Sequence, residues 1–96
     1  MPAVTRLGDN CTGHGCFPSR PSIEGSSTVK VDGKPVVCVD HAYDSHCCGI
    51  PCHGGRLSDG SPTVKIDGKK VGRIGDPIDC GSSVLEGSST VYIDGR

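Results

Sequence analysis

Four histidines (14, 41, 46 and 53) and seven cysteines (11, 16, 38, 47, 48, 52 and 80) crowd into a few short stretches of a 96-residue chain. The densest are "NCTGHGC" (10–16) and "DHAYDSHCCGIPCH" (40–53), with Cys80 standing alone in "PIDCGSS" (77–83). Imidazole and thiolate at this density suit zinc, which takes four N and S ligands in a tetrahedron. The same thiols would cross-link in an oxidising compartment. The cysteine count is odd, and the start, "MPAVTRLGD", lacks the basic-then-apolar pattern of a secretory leader. Synthesis and folding in a cytoplasm are therefore expected, and metal ligation is the more natural use of the thiols. Cys11, Cys16, Cys47, Cys48 and Cys52 leave room for a second metal site or for a disulfide such as Cys11–Cys16. Adjacent Cys47 and Cys48 are not expected to bond each other.

Other chemistry is poorly represented. No Ser/His/Asp arrangement or pair of carboxylates stands out, and His53-Gly54-Gly55 with Asp59 is the nearest thing to an active-site fragment. A net charge of −1 leaves no basic footprint for nucleic acid. No apolar run approaches the ~20 residues needed to span a bilayer. The expectation is no enzyme, with a zinc hydrolase or a free-standing zinc-binding or thiol redox module as alternatives.

The elements that must position these side chains are written in a repeat. "GSSTVKVDGK" (25–34) returns as "GSPTVKIDGK" (60–69) and "GSSTVYIDGR" (87–96). Within each copy Val29/Val31, Val64/Ile66 and Val91/Ile93 alternate with polar residues, the period of a half-buried strand. The Asp-Gly pair that follows is a type I′ hairpin signal, because both turn positions need positive φ. "PVVCV" (35–39) and "KKVGRI" (69–74) read as return strands, and each leading Gly-Ser reads as an entry turn. The third copy ends the chain, and its return strand, "AVTRLGD" (3–9), begins it. Joining the ends gives three complete hairpin units. None can bury its apolar face alone, but three packed about an axis can. With no tryptophan, one phenylalanine and 33% hydrophobic residues, a single small domain spanning 1–96 is expected.

A mark after each return strand sets the register of the loops. It reads "RLGD" (6–9) and "RIGD" (73–76), and the matching place in the middle unit is "CVDH" (38–41), so His41 stands where Asp9 and Asp76 stand. His14 lies five residues past Asp9, His46 five past His41, and Cys80 four past Asp76. Three-fold packing would gather those positions, giving two imidazoles and a thiol. The longer middle loop offers a fourth donor, for which His53 is chosen. His41 and Cys47 compete with His46, and Cys52 competes with His53. A closed four-ligand site is structural, since a catalytic zinc keeps a place for water. Cys38, in a strand, is expected to be a small buried hydrophobe.

The segments "MPAVTRLGD…HG", "EGSSTVKVDGKPV", "GSPTVKIDGKKVGRIGD…C" and "GSSTVYIDGR" resemble the PAAR-repeat family over essentially the whole chain. The eponymous tetrapeptide is degenerate, with "PAVTR", "PVVC" and "KVGR" in its place. The resemblance implies a mainly β, cone-shaped, three-sided pyramid of hairpins with internal three-fold pseudo-symmetry and paired termini. At its apex it implies one zinc ion held by three histidines and one cysteine. It also implies that the broad base caps a trimeric β-helical spike, one copy per trimer, in a type VI secretion system (where the spike is the valine-glycine repeat protein) or a phage tail. Such a tip aids membrane puncture and delivery of effectors, and is ejected outside the cell or into a target cell. This chain, starting and ending inside the repeat, is expected to be a bare tip.

Overall fold

In a computed structural model the chain is all strand and turn, and the structure describes residues 2–94. Among these there is no helix. The strands are β1 (Lys30–Val31), β2 (Lys34–Pro35), β3 (Ala42–Cys47), β4 (Cys52–Arg56), β5 (Lys65–Ile66) and β6 (Lys69–Lys70). They form three antiparallel hairpins, β1–β2, β3–β4 and β5–β6. The overall extents are 39 × 27 × 21 Å.

The repeat hairpins turn where the Asp-Gly pairs stand. Asp32 and Gly33 have φ of 55° and 79°, and Asp67 and Gly68 have 55° and 78°. Asp94 enters the third turn with φ 62°, while its partner Gly95, with Arg96 and Met1, lies outside the described residues. The ladders are shorter than the alternating pattern predicts, two residues per strand, and Val29 remains 37% exposed. The reason lies in the entry turns. Ser26 Oγ accepts from the Thr28 and Val29 amides, and Ser61 and Ser88 do the same for Thr63/Val64 and Thr90/Val91. A backbone amide bonded to its own serine bends the chain out of the ladder.

What the hairpins lack internally they find in one another, and the contacts cycle. The Thr5 amide donates to Gly72 O, Gly72 to Val37 O and Val37 back to Thr5 O, at 3.1, 2.8 and 3.1 Å. Outside that ring, Ser26 and Thr28 hydroxyls donate to Asp67, those of Ser61 and Thr63 to Asp94, and those of Ser88 and Thr90 to Asp32. Each repeat thus hands hydrogen bonds to the next and the third returns them to the first. The two ends of the chain close this cycle as expected. Ala3 bridges Tyr92, and Val4 and Ile93 donate to Val91 O and Pro2 O.

Two small cores result. Val4, Val36, Cys38 and Val71 pack with Val31, Val64, Ile66, Val91 and Ile93 among the repeat hairpins. Cys38 is buried there as expected, and burial pushes its thiol up to about 11. The second core, Cys11, Val37, Tyr43, Leu57, Ile78 and Val84, lies under the loops and has Cys80 packed against it.

Candidate metal centre

The "GD" mark is a structural joint. Asp9 carboxylate accepts from the amide, Nε and Nη2 of Arg6, and Asp76 accepts the same three bonds from Arg73. Each arginine also reaches a hairpin-turn aspartate, Arg6 to Asp32 and Arg73 to Asp94, both at 2.8 Å. In the middle unit His41 Nδ1 accepts from the Cys38 amide at 2.8 Å, the bond that Asp9 and Asp76 make in theirs. His41 is therefore committed to the joint. Its imidazole is pushed below its usual value, by burial first and then by Lys69.

From these joints three loops converge. His14 comes from the 10–23 loop, His46 from β3, His53 from β4, and Cys80 from the loop after Asp76. One ligand atom from each of the four lies within 4.8 Å of all the others. Ring centroids are 5.0 Å apart for His14–His46, 5.1 Å for His14–His53 and 4.6 Å for His46–His53. The structure thus brings together the four residues chosen from the sequence and leaves His41, Cys47 and Cys52 elsewhere.

The choice between neighbours is made by a β-bulge. On β3–β4, Tyr43 faces Gly55 and His46 faces His53, so Asp44 and Ser45 oppose Gly54 alone. In a regular strand Tyr43 and His46, three apart, would point to opposite faces. The extra residue returns His46 to the inner face, and both it and Tyr43 are buried. Cys47 is thereby turned outward, and pairing fixes His53 inward and Cys52 outward. Gly55 completes the arrangement. A Cβ there would stand 2.9 Å from Cys80 Sγ, so only glycine lets β4 approach the thiol.

The donor set fits a metal. His46 Nδ1 donates to Pro18 O at 2.7 Å and His53 Nδ1 to Gly54 O at 3.0 Å, leaving each Nε2 with its lone pair. Nε2 of His14 and of His46 are buried with no hydrogen-bond partner among the described residues. Burial, then the neighbouring His46 and His53, pushes the His14 imidazole below its usual value, the direction that favours metal over a proton. A tetrahedral zinc at 2.0–2.3 Å spaces its donors roughly 3.3–3.8 Å apart, and the four donor atoms here all lie within 4.8 Å of one another.

The remaining cysteines correct one expectation. Cys16 is bonded to Cys48 and Cys47 to Cys52, with Cα separations of 5.3 and 4.0 Å. A Cys11–Cys16 bond does not form, because Cys11 is buried in the second core, its Sγ accepting from the Arg20 amide, while Cys16 sits exposed on a turn. Disulfides therefore take four of the thiols that the sequence suggested for metal. Cys47 and Cys48 avoid each other as expected, each finding a different partner. Asp59 bonds the Gly60 amide and Lys70. Sequence reasoning missed the Pro18 carbonyl and Gly55. A backbone acceptor leaves no mark in residue type, and the chain has fifteen glycines to choose from.

No curated protein matches the chain. The family pattern described as the PAAR motif matches residues 12–86 and, overlapping them, 50–96. Those spans hold His14, His46, His53 and Cys80 and all three copies of the Gly-Ser…Asp-Gly repeat. By that match, and by the hairpins and donor cluster it covers, the chain belongs to the PAAR-motif family.

Proposed function

We propose that this protein is the metal-pinned tip of a contractile injection machine, seated on the end of a trimeric β-helical spike, one copy per trimer. The observation that carries the reading is the convergence of three imidazoles and one thiol from three separate loops in a PAAR-motif chain. One zinc ion held by His14, His46, His53 and Cys80 would tie those loops to a single point, and its binding energy would be folding energy. All four positions are filled by protein, so the role is structural and no catalysis is assigned.

The cyclic hydrogen bonding supports the partner. A trimeric β-helix ends in three equivalent sets of open strand edges. A single chain whose contacts repeat three times and close on themselves can meet all three. The cone shape, puncture of a membrane driven by the sheath, carriage of effectors, and passage from a bacterial cytoplasm to the outside or into a target cell all belong to this proposal.

The test has two arms. Metal analysis of the purified protein should give one zinc per chain, and chelation should lower the melting temperature. Mixed with a trimeric spike protein, the chain should elute at one copy per three spike chains. An unchanged melting curve after verified metal removal would count against the pinned apex, and a 3:3 complex against the capping role.

A further inference from the structure

We infer that Phe17 is a positioning residue of the histidine cluster, the wall against which all three imidazoles are aligned. The chain's only phenylalanine has its ring centroid 4.8 Å from that of His14, 5.0 Å from His46 and 4.5 Å from His53. It belongs to neither hydrophobic core. Its contacts with the three imidazoles are therefore its evident packing role, and the inference rests on the metal reading above.

The backbone holds the ring in place. His14 and Phe17 exchange both amide hydrogen bonds, at 3.0 and 2.8 Å, across the two-residue turn Gly15-Cys16. The chain folds back so tightly that a Cβ on Gly13, whose φ is +72°, would come 2.5 Å from Phe17 O. One end of that turn is fastened through Cys16 to Cys48, two residues past His46. The next carbonyl, Pro18 O, is the acceptor for His46 Nδ1. One short segment thus carries a donor, orients a second and packs on all three rings.

Such a wall does two things. It confines the imidazoles to rotamers that converge, so less ordering remains to be done when the ion binds. It also covers the cluster with apolar surface, which disfavours water as a fifth ligand. Outer groups of this kind change metal affinity by roughly 10–100-fold.

The experiment uses the full chain with zinc or cobalt(II) alone as probe. Wild type, Phe17→Ala, Phe17→Leu and the ring-keeping Phe17→Tyr are compared. Loss of the ring should weaken zinc in competition with a chromophoric chelator by about tenfold or more and, in Phe17→Ala, dim the visible cobalt bands, as a fifth ligand does. Phe17→Leu, which keeps apolar cover but has no ring to align the imidazoles, should weaken zinc as Phe17→Ala does while leaving the cobalt bands nearer wild type, and Phe17→Tyr should stay near wild type in both. Melting of the metal-free proteins should be alike. The proposal is overturned if Phe17→Ala binds zinc and colours cobalt as wild type does, or if its loss appears equally in the metal-free melt. A wild type that takes up neither ion would instead sink the metal reading itself, before any variant is compared.

Discussion

Gly55→Ala should injure metal binding through a single methyl group. The new carbon would lie 2.9 Å from Cys80 Sγ, 2.9 Å from Ile78 Cγ2 and 3.2 Å from Cys80 Cβ. Non-bonded carbons settle at about 3.5–4.0 Å, so the thiol must retreat by roughly 0.6 Å. The backbone of Gly55 cannot yield instead without breaking its pairing with Tyr43 beside the bulge. Metal sites tolerate departures of only about 0.2 Å from ideal bond lengths. The displacement is therefore about three times what a zinc–thiolate bond absorbs. Zinc affinity should fall at least about tenfold, near 1.4 kcal/mol, with overpacking adding about 1–3 kcal/mol of destabilisation. The neighbouring Gly54→Ala is the matched control. Its Cβ meets only Tyr43 O, at 3.7 Å, an ordinary contact. Chelator competition reads the affinity, and melting with and without chelator separates lost metal from lost packing. A folded Gly55→Ala that binds zinc as tightly as Gly54→Ala would refute the reasoning and remove Cys80 from the site.

Two further outcomes follow from the cyclic contacts and the cross-links. The Asp32 carboxyl is held below its usual value by the Ser88 and then the Thr90 hydroxyl, and Asp67 and Asp94 are lowered by equivalent hydroxyls. A depressed folded value means stability that is present above the unfolded value and lost as pH falls through the folded one. Wild type should therefore weaken below about pH 4, and Asp32→Asn, which keeps a residue at ease with positive φ, should show a shallower acid limb in denaturant titrations. Parallel limbs would mean that the hydroxyl contacts contribute nothing. Separately, Cys16→Ser/Cys48→Ser opens a link between residues 32 apart. On loop-closure grounds it should lose about 3–4 kcal/mol of unfolding free energy. Reductant should cost wild type at least as much, and a variant as stable as the oxidised protein would show that this link does not hold the loops that carry the histidines.

The fold was legible because its instructions are local. Alternating valines, a serine that turns the chain and an Asp-Gly pair that needs positive φ are each read within ten residues. Repetition then says that three such units must share one core, and a repeat split across the termini says that the ends must pair. Placing His14 and Cys80 needed only counting from equivalent joints, and the substitution of His41 for an aspartate in the same joint was visible by the same count.

The count from the joints favoured His46, and the longer middle loop His53, but what turns them inward rather than Cys47 and Cys52 was beyond local reading. Strand faces alternate every residue, so a single bulge at Asp44–Ser45 decides which of two adjacent donors turns inward. Nothing in the types of those residues marks a bulge; it forms because β3 must pair with β4 while keeping Tyr43 in the core. The disulfide partners were decided in the same way, by which thiols the folded loops leave side by side. Side-chain chemistry and repeat spacing told which residues could act, and only the packed chain told which way each one faced.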